Sequence, residues 1–325
     1  MRYIACDDGS TSVKLAWVEN DSVHTCLSPN AFRAGWKVEG MGNGRAFNYA
    51  IDGMKYTEDN VSRDAISTTN IEFQYGEMNL LAIHHALQKT DIPPQKVVLT
   101  VTLPVSEYYT ADCQKNYENI RRKKENLMRP VTLNRGKTFE IENVTVMPES
   151  LPAIFSHLEQ LQVGELERSL VVDLGGTTLD AAVVVGQYDE VSAIHGNPGS
   201  GVSMVTRAAQ AALRTAGSET SPFVADTVIR QRHDMAFLNQ VINDASQVSF
   251  VLREIESEIT SLGARVVADL SRWRNVNRVF LVGGGAVLIE QAVRQAWKLA
   301  PERIIVVDDP QFALAREIAH YKNEV

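Results

Sequence analysis

The sequence contains one pattern twice, as Asp7-Asp8-Gly9-Ser10-Thr11-Ser12-Val13-Lys14 and as Asp173-Leu174-Gly175-Gly176-Thr177-Thr178-Leu179-Asp180. Each copy follows a short apolar run, turns through aspartate, glycine and hydroxyl residues, and then enters a second apolar run. Apolar runs joined by polar, glycine-containing turns are typical of β-hairpins. Because the two copies lie about half a chain length apart, the sequence predicts two related halves that present matching turns to one ligand.

The chemistry of these turns indicates a phosphate site. Glycines let backbone N–H groups approach a phosphate closely, and serine and threonine hydroxyls add further donors. Lys14 follows closely enough to neutralise phosphate charge. The predicted phosphate-binding residues of the two turns are Asp7, Gly9, Ser10, Thr11, Ser12, Lys14, Gly175, Gly176, Thr177 and Thr178.

Asp7 and Asp173 end their predicted strands and are the candidate metal residues. Magnesium keeps several of its own waters and takes few protein carboxylates, so two aspartates that act mostly through water suit it. Neither turn has the Walker pattern, which argues against a P-loop enzyme. The alternative for either turn alone is an ordinary hairpin whose Asp, Gly and Ser satisfy turn geometry, and the second copy weakens that alternative.

Two further features extend the predicted site. Glu149 follows a strand and opens a helix, where a carboxylate would orient or deprotonate a water that attacks a terminal phosphate. The alternative is an ordinary glutamate that favours the helix dipole. Gly283, Gly284 and Gly285 stand between a strand and a helix and would seat the nucleotide, although close helix packing also selects glycine there.

Composition narrows the class of protein. The chain has 325 residues, of which 44% are hydrophobic and 22% charged, and its formal net charge is −8. We expect roughly two globular domains, no membrane segment and a cytoplasmic location, and three scattered cysteines show no metal or redox spacing. The acidic charge argues against direct nucleic-acid binding, and the basic stretch 121–124 is predicted to lie on a solvated helix.

These motifs together resemble the actin, Hsp70 and sugar-kinase superfamily, and within it the actin-like plasmid-segregation ATPases (the ParM/StbA family). Strings that carry the closer resemblance are Ser-Pro-Asn-x-Phe at 28–32, Thr68-Thr69-Asn70, His84-His85-Ala86-Leu87 and Met147-Pro148-Glu149-Ser150. The resemblance covers most of the chain. It implies an α/β, actin-like ATPase fold with two ribonuclease-H-like domains around a nucleotide cleft.

The same resemblance supplies domain limits and site roles. It implies a first domain of residues 1–163 plus 310–325, with a small insert at about 28–75, and a second domain of residues 164–309. By motif position, Glu149 and Asp173 would be catalytic, and the two turns and the glycines at 283–285 would hold ATP, or alternatively GTP, with Mg²⁺.

The function implied is that of a bacterial, cytoplasmic, filament-forming ATPase that segregates plasmid DNA. It would polymerise with ATP, disassemble after hydrolysis, and reach the plasmid centromere through a small DNA-binding adaptor, so that contact with DNA is indirect. The main alternative is a small-molecule kinase of the same superfamily, acting on a sugar or a carboxylate. A chaperone ATPase and a non-enzymatic scaffold are further alternatives.

Overall fold

The computed structural model of the chain describes residues 2–38 and 46–324. Part of the predicted insert, 39–45, therefore lies outside the described residues. In the first half, the strands and helices are β1 (Arg2–Asp8), β2 (Ser12–Glu19), β3 (Ser22–Pro29), β4 (Phe32–Ala34), β5 (Asn48–Ile51), β6 (Met54–Glu58), α1 (Glu77–Lys89), β7 (Lys96–Leu103), α2 (Val105–Tyr108), α3 (Tyr117–Leu127), β8 (Thr132–Leu133), β9 (Glu140–Pro148) and α4 (Phe155–Gln160). Short 3₁₀ helices cover Ile71–Tyr75 and Leu151–Ile154.

The second half contains five strands and six helices among its described residues. They are β10 (Arg168–Leu174), β11 (Leu179–Val185), β12 (Glu190–Asn197), α5 (Ser203–Thr215), α6 (Pro222–Arg230), α7 (Met235–Val241), α8 (Val248–Asp269), β13 (Arg278–Val282), α9 (Ala286–Ala296), β14 (Ile304–Val306) and α10 (Ala313–Glu324). None of the described helices is long and apolar enough to cross a membrane.

The two large sheets have the same topology. Their strand orders are β3-β2-β1-β7-β9 and β12-β11-β10-β13-β14. In each sheet the first strand pairs antiparallel with the second and parallel with the strand that follows on its other side. This repetition supports the prediction of two related halves. A third, smaller sheet has the order β4-β6-β5-β8 and belongs to the first half.

The central strands are apolar because both faces of each large sheet are covered. One core fills the first half and a second core fills the other. A third core lies between the two sheets and joins Ala5 and Ala16 to Val171 and Phe280 through residues of α4 and α10. Helix α10 contacts β1, β2 and the 3₁₀ helix at Leu151–Ile154. The last described helix therefore packs against the first sheet, while the predicted domain limits stay a prediction.

One expectation about α3 is wrong. The prediction placed the basic stretch 121–124 on a solvated face, and Arg121 does pair on the surface with Glu118 and Glu125. Lys123, however, is fully buried and forms an ion pair with Asp8. The carboxylate that pairs with Lys123 lies on a strand more than a hundred residues away in the sequence. The spacing of charges along the helix therefore could not predict this ion pair.

Two adjacent histidines lie in the core of the first half, on α1. His85 Nδ1 shares a hydrogen bond of 2.9 Å with the hydroxyl of Tyr49, whereas His84 Nδ1 has no partner among the described residues. Burial lowers the pKa of His84 to about 4 and, together with nearby lysines, that of His85 to about 3. Both imidazoles are therefore neutral in the folded protein at neutral pH.

We predict that His84 makes the fold sensitive to mild acid. The pKa of His84 is about 6.5 in the unfolded chain and about 4 in the folded protein. Between these two pH values the unfolded state binds a proton that the folded state does not bind. The free energy of unfolding then falls by about 2 kcal/mol between pH 7 and pH 5 from this group alone. In urea titrations at both pH values, the free energy of unfolding of His84→Leu should fall by about 2 kcal/mol less than that of the parent protein. The exposed His233→Leu should behave as the parent, and an unchanged pH dependence in His84→Leu would contradict the prediction.

Candidate functional site

The two predicted turns close the first hairpin of each large sheet. In the first hairpin Asp7 stands opposite Lys14, and in the second Asp173 stands opposite Asp180. The two turns thus have the same register, and the residue at the last position of the repeated pattern has opposite charge in the two copies. In the first half that residue is a cation, and in the second half it is a carboxylate.

The turns meet across the cleft between the halves. The Ser10 and Thr177 hydroxyl oxygens are 2.6 Å apart and share a hydrogen bond. A Cβ built on Gly176 would stand only 2.4 Å from Cγ2 of Thr11 and 3.0 Å from Oγ of Ser10. The approach is therefore so close that a side chain at position 176 would push the two turns apart.

Beside this contact, the ammonium group of Lys14 lies near three carboxylates, those of Asp7, Asp173 and Glu149. Lys14 Nζ lies 3.1 Å from Asp7 Oδ2, and both side chains are largely buried. Burial raises the pKa of Asp7, although Lys14 counteracts it, and burial with the charges of Asp7 and Asp180 raises the pKa of Asp173 to about 7. Burial would lower the pKa of Lys14, but Asp7 and the other carboxylates raise it overall. The cluster carries more negative than positive charge, so a bound cation would relieve repulsion among its carboxylates.

Glu149 is part of this cluster and does not face solvent as an ordinary helix-opening glutamate would. Only 9% of the residue is exposed, and its backbone N–H donates to the carbonyl of Leu103 at 2.8 Å. Burial raises the pKa of Glu149 well above its usual range, and the charges of Asp180, Asp7 and Asp173 add to the effect. A carboxylate with a raised pKa is a better proton acceptor than one in water.

The backbone next to Glu149 is strained and tied to the second half. Ser150 has φ 68° and ψ −58°, and the N–H of Leu151 donates to the carbonyl of Glu149 at 2.8 Å, which closes a three-residue γ-turn. This conformation is rare and unfavourable for a residue with a Cβ. The N–H of Ser150 donates to the carboxyl group of Asp173, so a bond between the halves helps to fix the direction of Glu149.

The glycines at 283–285 do not all serve one purpose. Gly283 has φ +83°, and a Cβ there would stand 2.2 Å from Oδ1 of Asp173. A Cβ on Gly285 would stand 2.6 Å from Cγ2 of Val202, so close packing requires glycine at both positions. Gly284 has open space beside it, with Nε2 of Gln311 nearest at 4.0 Å. Gly284 is therefore the glycine whose surface is most available to a ligand.

Two adjoining cavities occupy the cleft, and every predicted site residue lines one or both of them. The larger cavity has a volume of about 620 Å³ and the smaller one about 40 Å³, and they share Lys14, Gly175, Gly176 and Gly284. The remaining predicted residues of the small cavity are Asp7, Gly9, Ser10, Glu149, Asp173, Thr177, Thr178 and Gly283. Those of the large cavity are Thr11, Ser12 and Gly285. Their roles toward a nucleotide stay predictions.

Two contacts between the halves involve Asn60 and Arg63, which line the large cavity. Arg63 Nε lies 3.2 Å from Glu219 Oε2, and Ser221 Oγ donates to the carbonyl of Asn60 at 3.0 Å. Helix α5 supplies Arg207 and other polar residues to the far wall.

Sequence reasoning missed several residues around the small cavity. Asp180 accepts a hydrogen bond of 2.8 Å from the N–H of Val105, which ties the second hairpin to the start of α2. Asn70, Ile71 and Gln74 come from the 3₁₀ helix and its cap and form part of the cavity wall. No signal in the sequence marked Gln74, because a single polar residue in an irregular segment has no periodicity.

The donor set fits magnesium if water completes the coordination. Among the residues that the structure describes, no group of three histidine, cysteine or acidic side chains is arranged to hold a metal directly. Asp7 and Asp173 nevertheless supply two buried carboxylate groups beside the turns, and burial raises the pKa of both, so added positive charge would stabilise their ionised forms. A hydrated cation held by these aspartates would provide that positive charge.

Two related halves, each with a hairpin turn at a shared cleft, define an actin-like protein. A 15-stranded ParM filament from Clostridium botulinum has a similar structure, with a TM-score of 0.72 and 15% identity over 100% of this chain and 99% of that one. An archaeal actin homolog in complex with ADP gives 0.69 and 16% over the full length of both chains. AlfA from B. subtilis plasmid pLS32, in its filament, gives 0.58 and 13% over 97% of each. These likenesses confirm the predicted actin-like fold.

The family follows from the sequence models. Residues 1–160 match the model described as plasmid segregation protein ParM, N-terminal, and residues 163–321 match the one described as plasmid segregation protein ParM, C-terminal. The chain belongs to the plasmid segregation protein ParM family, as the resemblance predicted. No curated protein matches the chain.

We predict that neighbouring glycines respond differently to the same substitution. Gly283→Ala introduces both a strained φ and a 2.2 Å contact with Asp173, and it should lower the free energy of unfolding by at least about 2 kcal/mol. Gly284→Ala meets no close atom and should stay within about 0.5 kcal/mol of the parent protein. Denaturant unfolding of both variants checks this. Equal losses in the two would show that Asp173 and Gly283 are not in close contact.

Proposed function

We propose that the chain is a filament-forming ATPase that segregates plasmid DNA. It polymerises with ATP, disassembles after hydrolysis, and is linked to the plasmid centromere through a small DNA-binding adaptor. The observation that carries the proposal is the meeting of the Ser10 and Thr177 turns beside Lys14, Asp7, Asp173 and Glu149, at the inner end of a cavity of about 620 Å³. Family membership supports the cellular role.

In this proposal the small cavity takes the terminal phosphate and the large cavity takes the rest of the nucleotide. Lys14 and the backbone N–H groups of both turns bind phosphate oxygens, with hydroxyl donors from Ser10 and Thr177. Asp7 and Asp173 hold hydrated Mg²⁺, which supplies positive charge to the phosphates. GTP remains an alternative nucleotide because no residue of the large cavity has a contact pattern specific for one base.

Hydrolysis depends on Glu149 in this proposal. Its raised pKa and its place in the wall of the small cavity suit it to accept a proton from, or orient, a water that attacks the terminal phosphate. The bond between the N–H of Ser150 and Asp173 holds Glu149 toward the second half only while the halves are close. ATP binding would therefore align the halves for assembly, and loss of the terminal phosphate would relax them.

The acidic net charge of −8 supports indirect contact with DNA, since a surface that binds phosphates needs concentrated basic charge. The adaptor would bring that charge. Filament contacts would be made between copies of this chain, as in the filaments of the Clostridium botulinum ParM and of AlfA.

We expect light scattering to rise when Mg-ATP is added to the purified protein and to decay as phosphate is released. ADP and nucleotide-free samples provide the controls, and sedimentation gives the amount of polymer in each. Absence of assembly at every protein concentration would contradict the proposal. A small-molecule kinase would instead stay small on sedimentation and accelerate its ATP turnover when a sugar or carboxylate substrate is supplied.

Glu149→Ala should bind ATP and assemble, but its filaments should persist. Loss of a general base typically slows a reaction by about 10²–10⁴-fold, so phosphate release should fall by roughly 100-fold or more. Glu159→Ala, on the exposed face of α4, is the matched control and should behave as the parent protein. A normal rate of phosphate release from Glu149→Ala would remove Glu149 from the mechanism.

A further inference from the structure

A buried cation lies directly behind the small cavity. The Lys123 and Asp8 side chains are both wholly inaccessible to solvent, and Lys123 Nζ contacts Asp8, Gln74 and, at 3.0 Å, Oδ1 of Asn79. Asp8 also accepts from Nδ2 of Asn79 at 2.7 Å and from the N–H of Thr102 at 3.0 Å. A buried charge is tolerated only when it is paired and fully hydrogen-bonded, and this one is.

The chemistry of Lys123 determines how the Gln74 amide is turned. An ammonium group has three donors and no acceptor, so each atom that it contacts must accept. Gln74 therefore presents Oε1 to Lys123. Its Nε2 group, which has two N–H donors, faces away and has no partner among the described residues.

Gln74 lines the cavity that the proposed function assigns to the terminal phosphate. Gln74 belongs to the 3₁₀ helix Ile71–Tyr75 and lines the small cavity together with Asp7, Glu149 and Asp173. Asn70, the other amide side chain that lines this cavity, is already hydrogen-bonded within the protein. Its Oδ1 accepts from the N–H of Phe73 at 3.0 Å, and its Nδ2 donates to the carbonyl of Ser67 at 3.4 Å.

We propose that Gln74 donates a hydrogen bond from Nε2 to the terminal phosphate of the bound nucleotide, and that Lys123 is the positioning residue that fixes this amide. The inference rests on the proposed nucleotide site. The small cavity has three carboxylates and one ammonium group on its walls, so an entering phosphate needs donors that do not depend on lysine alone. A neutral amide with a fixed orientation supplies one.

Gln74→Glu separates this role from folding. The glutamate keeps an oxygen for Lys123, and therefore keeps the buried network, but it replaces the N–H donor with a negatively charged acceptor. We expect the ratio of ATP affinity to ADP affinity to fall at least tenfold, because only ATP carries the terminal phosphate. ADP affinity should match that of the parent protein, and the denaturation midpoint measures the separate cost of the added buried charge. Gln240→Glu, exposed on α7, makes the same change in charge and should alter neither affinity.

A second variant tests Lys123 without leaving a lone buried charge. Lys123→Met combined with Asp8→Asn removes both charges and frees the Gln74 amide to rotate. The ratio of ATP affinity to ADP affinity should therefore fall in this double variant. The control Lys124→Met, at an exposed position, should leave the ratio unchanged. A Gln74→Glu protein with the parent ratio of ATP to ADP affinity overturns the inference while the proposed function stands. A parent protein that binds neither nucleotide overturns both.

Discussion

The arrangement of the site depends on the close contact between the two hairpin turns. Ser10 and Thr177 share a hydrogen bond, and Gly176 leaves room for Thr11 beside it. This contact sets the distance between the halves at the inner end of the cleft. It therefore places the carboxylates of Asp7 and Asp173, which come from different sheets, around a single cavity, and it brings Ser150 within hydrogen-bonding distance of Asp173.

The halves share a topology but differ in charge at equivalent positions of their first hairpins. Lys14 pairs with Asp7 and faces the small cavity, whereas Asp180, at the same register of the second hairpin, binds the backbone of Val105 in the first half. One hairpin thus supplies the cation of the site, and the other fastens the halves together.

Much of this arrangement could be predicted from local sequence. The turns, their flanking strands, Glu149 and the glycines at 283–285 were recognisable because each combines a short motif with an apolar run, and all of them line the cleft. The burial of Lys123 and the role of Gln74 could not be predicted, since both depend on contacts between segments about fifty or more residues apart. The γ-turn at Ser150 was equally hidden, because only the surrounding structure makes a strained backbone stable.

The position of α10 has a consequence for how the protein is made. This helix packs on β1 and β2 and contributes to the core between the sheets, yet the ribosome synthesises it after all the other described strands and helices. At about 5–20 residues per second, roughly ten seconds or more separate the synthesis of α4 from that of α10. During that interval the first sheet of the nascent chain has an uncovered apolar face, which a chaperone or the second half itself must shield.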